Sequence, residues 1–208
     1  MKKDDQTETY YRRKPTQSRS IQRVDQVLDA TRQGILEGGY ENLTMNEIAH
    51  RAGMKRSAIY RYFSGKSAIM VSLIELHHED IHRLVQQLFS SVESQSDLMA
   101  AVQTLVSKYF QLFLDDPVLP AVWMGARSSP ELSELCNQEN EKIGRFIGHS
   151  LKRARPSISI NPTIVAILLL ELIGASARLA LQGQGAASRD EIEIATQVSA
   201  VALAFAEN

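Results

Sequence analysis

Thr44–Lys66, TMNEIAHRAGMKRSAIYRYFSGK, decides the architecture of this 208-residue chain. Its pattern predicts a short helix, a tight glycine turn and a second short helix. Thr44 and Glu47 have the spacing of a capping box, in which each side chain satisfies an amide at the helix start. Ile48 is then expected inside, with Ala49 and Ala52 small enough for a second helix to come close. Gly53 falls where the chain must turn sharply, a position that favours a residue without Cβ. Met54 is expected as an apolar plug under the turn. Ala58 and Ile59 point inward again, and Phe63 closes the end.

The outward residues of the second helix are Lys55, Arg56, Ser57, Arg61 and Tyr62. Such a helix-turn-helix presents its second helix to the major groove of DNA. Basic groups at its start suit phosphates or the guanine edge, and Ser57 permits close approach. Tyr60 and Tyr62 offer hydroxyls to phosphate while their rings pack below. Lys66, opening the next helix, is placed to grip the backbone.

From Arg23 to Ile74 the chain resembles the N-terminal domain of the tetracycline-repressor (TetR) family. The marks are Gly38-Gly39-Tyr40, Leu43-Thr44, Ile48-Ala49, Ala52-Gly53, Ile59-Tyr60, Tyr62-Phe63 and Lys66. The resemblance implies an all-α homodimer on palindromic operator DNA, acting as a repressor released by a small-molecule effector. It also implies DNA contacts from Thr44, Lys55, Arg56, Ser57, Tyr60, Arg61, Tyr62 and Lys66. Lys55 stands where the family often has a Ser or Thr cap. That leaves either a frayed start to the second helix or an additional phosphate contact.

Charge divides the chain in the same way. Residues 1–66 hold 13 Lys and Arg against 8 Asp and Glu, whereas residues 67–208 hold 10 against 16. A basic front favours phosphate, and an acidic body turns away from it. Residues 1–19 form a polar segment with Arg12, Arg13, Lys14 and Arg19. This basic arm either follows the minor groove or stays a solvated tail. Met1–Lys3 leads into no apolar segment, so no secretory signal is expected. The expected organisation is an arm over 1–19, a DNA-binding domain over 20–66 and an effector and dimerisation domain over 67–208.

The remainder reads as helices. Lys66 to Phe89 carries Met70, Ile74, Ile81, Val85 and Leu88 at helical spacing and is expected to join the lobes. Ser96 to Leu114 follows, stopped by Asp115-Asp116-Pro117. A short segment, Leu119 to Arg127, precedes a long polar helix, Glu131 to Ala154, with Leu135, Ile143, Phe146, Ile147 and Leu151 inward. Asn161-Pro162 caps the next helix, and Ser188 with Glu191 starts the last.

The last two helices are rich in apolar and small residues, which suits a four-helix bundle with a second copy. The expected interface is Leu168, Leu172, Gly174, Ala175, Leu179, Ala195, Ser199 and Ala202. Tyr109, Phe110, Phe113, Trp123, Met124 and Arg127 are the candidate effector pocket, with ordinary core as the competing account. Asp116–Leu132 also resembles the effector domain of some family members.

Catalysis, metal and membrane readings find little support. No nucleophile and base stand at an interpretable spacing. His78 and His82, with Glu75 and Glu79 nearby, lack an evident third zinc ligand and are expected as solvated side chains. Cys136 is the only cysteine, so no intrachain disulfide forms, which fits a cytoplasmic setting. The longest apolar run, Ile164–Leu170, is far short of the roughly twenty residues of a membrane span. No cofactor is expected. The functional alternative is a ligand-independent DNA-binding scaffold or an activator.

Overall fold

A computed structural model describes residues 18–126 and 129–182 of the chain. Every regular element in this range is helical. The order is α1 (Ser18–Asn42), α2 (Met45–Arg51), α3 (Arg56–Ile59), α4 (Lys66–Phe89), α5 (Gln95–Asp115), α6 (Leu119–Ala126), α7 (Pro130–Ala154) and α8 (Pro162–Gln182). The basic arm residues 1–17, Arg127 and residues 183–208 lie outside the described range. So do the expected Ser188 cap and the interface residues Ala195, Ser199 and Ala202.

By its contacts the chain forms two compact units, Met1–Leu76 with Ala121–Leu132, and His77–Pro120 with Ser133–Asn208. The first unit therefore takes in the start of α4 and most of α6.

In the first unit α1 buries Val24, Val27, Leu28, Thr31 and Ile35, a helical period that makes one inward face. Its regular course breaks at Gly39, where φ is +76°, so Tyr40–Asn42 form a separate final turn. Gly34 lies under Leu43: an added Cβ would sit 2.4 Å from the Leu43 Cδ1. Ile48, Ile59 and Phe63 are fully buried and hold α2 and α3 together.

The second unit is built on α5, α7, α8 and the later part of α4. Ser94 and Asp97 form a complete capping box at the start of α5. The sequence reading began this helix at Ser96 and overlooked it. Asp116 ends α5, and its Oδ1 accepts from the Val118 amide at 3.1 Å, turning the chain toward α6. Asn161 caps α8 as its spacing predicts, with Oδ1 accepting from the Thr163 amide at 3.0 Å.

At Gly144 and Gly148, α7 meets α8 at very short range. A Cβ on Gly148 would stand 2.9 Å from the Thr163 nitrogen, and one on Gly144 would stand 2.6 Å from Ile167 Cγ1. Ser150 and Arg153 meanwhile donate to carbonyls at the end of α4. The Ser150 hydroxyl reaches the Phe89 oxygen at 2.9 Å, and Arg153 reaches the Phe89, Ser90 and Val92 oxygens at 3.1–3.2 Å. Phe89 is the last residue of α4 and Ser90 and Val92 follow it, so α7 satisfies carbonyls at and just beyond the C-terminus of α4.

Several expectations about inward faces need correction. Phe89 is the fully buried residue at the end of α4, and Leu88 is half-buried. Leu135 and Phe146 are also half-buried, with Leu132, Cys136 and Ile147 taking the interior of α7. Real helices crossed by several neighbours bury residues beside the ideal stripe. His78 is the larger departure. It is buried, with its neighbour His77, rather than solvated. Periodicity ranks histidine as polar and misses its apolar ring.

Candidate nucleic-acid interface

The reader begins at Thr44, whose extended backbone places its hydroxyl to accept from the Glu47 amide at 3.2 Å. The expected return bond from Glu47 to Thr44 is replaced by another. The Glu47 carboxylate takes the Arg51 guanidinium, and Arg51 also reaches Glu37 on α1 at 2.8 Å. A charge-assisted pair one turn away outcompetes the neutral amide. Arg51 holds the Glu37 carboxyl below its usual range by hydrogen bond and charge. This pins the outer face of α2 to α1.

Gly53 makes the turn with φ +60°, the left-handed region that costs L-residues a Cβ clash. The amides of Gly53 and Met54 close it on the His50 and Ala49 oxygens at 3.1 and 3.0 Å. Nothing lies within 4 Å of a Cβ there, so its need for glycine is conformational. Met54 is half-buried, a partial plug. Lys55 is the N-cap of α3 and makes no side-chain cap bond. Regular helix is correspondingly short, and the chain turns on through Tyr60–Tyr62.

The expected DNA-facing set divides by how its members are held. Lys55, Arg56, Ser57 and Arg61 are exposed, as is Thr44, while Tyr60, Tyr62 and Lys66 are half-buried. Arg56 is tied on two sides. It donates to Asn46 Oδ1 on α2 at 3.1 Å and to the Tyr60 hydroxyl at 2.9 Å, with its guanidinium 5.3 Å from the Tyr60 ring centre. Asn46 did not figure in the sequence reading, because only the fold brings it opposite Arg56. Arg61 lies 5.9 Å from the Tyr62 ring centre.

Lys66 has an additional task. Its ammonium donates to the Tyr40 and Glu41 oxygens at 2.9 and 3.3 Å and sits 4.2 Å from the Tyr40 ring centre. It closes the end of α1 as a cation at a helix C-terminus should. Two of its three N–H donors are engaged there. Nearby, Gly125 of α6 lies against Tyr40 and Met70: an added Cβ would be 3.1 Å from Tyr40 Cβ and 3.0 Å from Met70 Cε. A cleft of about 490 Å³ opens beside the turn, between Arg23 of α1 and Lys55, Ser57, Arg61 and Tyr62.

Of the expected effector residues, Tyr109, Phe110 and Phe113 are buried on α5. His77 packs edge-on against Tyr109 and Phe113, at 6.3 and 6.1 Å between ring centres. Burial pushes the His77 imidazole down to about 4, against weaker upward pulls from Asp80 and Asp116. Burial, helped by His77, takes His78 down to about 4 as well, with Glu139 opposing. Trp123 is half-buried on the α6 stretch that belongs to the first unit. The Met124 side chain, like Arg127, is outside the description.

On α8, Ile164, Leu168 and Leu172 are exposed in one line, with Ala175 half-buried on the same side. Gly174 is buried, and the Leu179 side chain is not described. No group of three or more metal-binding side chains occurs among the described residues. No helix among them is long and apolar enough to cross a membrane.

Comparison with known proteins agrees with this geometry. Residues 27–73 match the family described as bacterial regulatory proteins, tetR family, and residues 97–204 match the tetracyclin repressor-like C-terminal domain. The fatty acid metabolism regulator protein of Bacillus subtilis is 28% identical over 97 residues, 47% of this chain and 48% of that one. The transcriptional activator FasR of Mycolicibacterium smegmatis is 24% identical over 141 residues, 64% of each chain. The chain thus spans about half to two thirds of the length of these curated relatives. The fatty acid degradation regulator FadR of Bacillus halodurans shares the fold, with a TM-score of 0.70 at 21% identity over 92% of this chain and 96% of that one. The chain belongs to the TetR family of bacterial regulatory proteins, with that family's N-terminal domain followed by its tetracyclin repressor-like C-terminal domain.

Proposed function

We propose that the protein is a dimeric repressor that holds a palindromic operator and leaves it when a small molecule binds the helical body. The observation that carries the reading is the exposed, basic face of Lys55, Arg56, Ser57 and Arg61 on a frame of buried Ile48, Ile59 and Phe63. Side chains are thereby free for DNA while the backbone behind them is packed. The residues that would meet DNA are Thr44, Lys55, Arg56, Ser57, Tyr60, Arg61 and Tyr62, with Lys66 contributing its remaining donor.

Dimerisation is supported by the exposed line of Ile164, Leu168 and Leu172, an apolar stripe that water disfavours. A second copy would cover it and set two readers roughly 34 to 36 Å apart, one turn of DNA. Gly174 faces the chain's own interior, so Leu168, Leu172 and Ala175 are the better interface members on α8.

The effector proposal rests on Tyr109, Phe110 and Phe113, a large apolar cluster with the polar His77 at its edge. Trp123, Met124 and Arg127 remain proposed members of the pocket. A ligand releases DNA only by binding the DNA-incompetent arrangement better, at about 1.4 kcal/mol for each tenfold loss of affinity. Two relatives named for fatty acid metabolism or degradation make fatty acids the first compounds to try.

A duplex selected from genomic fragments, titrated by gel shift with and without fatty acids and a wider metabolite panel, tests the reading. Selective binding by unliganded protein and its loss on ligand addition are expected. Binding that ignores every compound would favour the ligand-independent alternative. A relative named as an activator keeps the opposite sign of control open to test. A reporter behind the selected duplex decides it, since loss of a repressor raises expression and loss of an activator lowers it.

A further inference from the structure

We infer that the cleft beside the turn is a seat for one backbone phosphate of DNA, and that Arg23 of α1 supplies part of its lining. The inference rests on the DNA-binding reading and extends it to a helix outside the helix-turn-helix. Arg23 lies upstream of residues 27–73, the segment that matches the family pattern.

The cleft measures about 490 Å³ and is lined by Arg23 of α1 together with Lys55, Ser57, Arg61 and Tyr62 of the reader. Among the described lining residues the charges are all positive, and the two hydroxyls are donors. Such a set recognises an anion with several acceptor oxygens. Phosphodiesters present that chemistry along the groove that the adjoining helix is built to enter. Gly53 and Ala58 also line the cleft with little or no side chain, which leaves it open to a bulky backbone.

Arg23 is prepared for the contact. It is exposed, and its Nη1 donates to Gln26 Oε1 at 3.1 Å, one turn along α1. That bond orients the guanidinium and uses one of its five N–H donors. The phosphate is thus held from two parts of the chain, α1 and the reader. Lys55 and Arg61 approach from the reader, and Arg23 fixes how far the reader is rotated about the duplex.

The test uses the full chain and a duplex selected by the wild-type protein. Arg23→Gln removes the charge from an exposed position, so folding should be unaffected. Affinities for selected and scrambled duplexes should fall by the same factor. The slope of log affinity against log salt should shrink by about 0.9, so the variant loses roughly 3.5-fold less affinity than wild type between 50 and 200 mM salt. Arg23→Lys should restore most of the slope. Methylphosphonate replacement, scanned one phosphate at a time, should weaken wild type at a discrete position and weaken Arg23→Gln distinctly less there, since only Lys55 and Arg61 still hold that phosphate.

An unchanged slope in Arg23→Gln, with wild type still selective, overturns the phosphate seat and leaves the DNA-binding reading intact. Loss of discrimination between duplexes without a change of slope also overturns it, since Arg23 would then read bases. Failure of the wild-type protein to prefer any duplex removes both readings together.

Discussion

Apolar packing and polar bonds join helices in both the reader and the body, but the two differ in emphasis. Around the reader, helices are joined by exposed or half-buried polar side chains: Arg51 to Glu37, Arg56 to Asn46, and Lys66 to the Tyr40 and Glu41 carbonyls. In the body, α7 meets the backbone of α8 at Gly148 and the Ile167 side chain at Gly144, and histidines lie buried. On the proposed reading Arg56 and Lys66 serve twice, as struts before DNA binds and as contacts during it. A body without that duty can exclude water and pack closely. Mutations should therefore weaken the reader by degrees and the body abruptly.

Gly148→Leu gives the largest expected break. The added Cβ meets the Thr163 nitrogen and the Pro162 carbon, backbone atoms that cannot swing away. We expect a loss of about 3 kcal/mol or more in urea unfolding, at the upper end of overpacking costs. Normal stability in this variant would mean that α7 and α8 separate easily, and the contrast with the reader would fail.

Acid should act on the body next. His77 and His78 have folded pKa values near 4 because burial opposes their charge. The unfolded chain, with histidines near 6.5, binds protons first as pH falls. Stability should therefore be fully present above about 6.5, decline toward 4, and level off below that. Each histidine contributes up to about 2 kcal/mol between pH 6.5 and 5. Chemical unfolding at those two pH values measures the decline, and His78→Leu should roughly halve it, leaving the share of His77. An equal decline in the variant would place the acid sensitivity elsewhere.

The reader's response should be graded. Arg56→Ala is expected to cost the selected duplex roughly ten- to a hundredfold in affinity, the range for losing a base contact of about 1–3 kcal/mol. Asn46→Ala should cost less, because it only releases one of the two bonds that orient Arg56. In a double-mutant cycle, Asn46→Ala should have little further effect once Arg56 is alanine. Full additivity would show that the two act separately.

The smallest expected effect is in Lys66→Met, which keeps the side-chain stem and removes the ammonium. Loss of the cap on α1 should lower stability by about 1 kcal/mol. DNA affinity should fall further through the lost charge. A drop in affinity with no change in thermal unfolding would make Lys66 a phosphate contact alone.

Much of this was legible in advance because it depends on near neighbours in the chain. Thr44, Gly53, Asp116 and Asn161-Pro162 set helix ends through bonds and dihedral limits within a few residues. Ile48, Ile59 and Phe63 announced the buried side of the reader, and the exposed Lys55, Arg56, Ser57 and Arg61 followed from it. The TetR resemblance and the all-α architecture came from the same local pattern.

Choices between partners were not local. Glu47 had two local candidates, the Thr44 amide and Arg51 one turn on, and took Arg51, whereas the further bond of Arg51 to Glu37 exists only because the fold brings α1 beside α2. Arg56 found Asn46 ten positions back, and Lys66 found the end of α1 across 25 and 26 positions. His78 was read as solvated because spacing treats imidazole as polar, whereas its ring fits an apolar interior when uncharged. Gly144 and Gly148 looked like ordinary helix residues until α8 crossed them. Sequence by itself determined where helices begin and end and which face of the reader is basic, since backbone sterics and hydrophobic period act over one or two turns. Tertiary structure alone decided which polar groups pair, which histidines lose water and which backbones touch, because those energies exist only when distant segments meet.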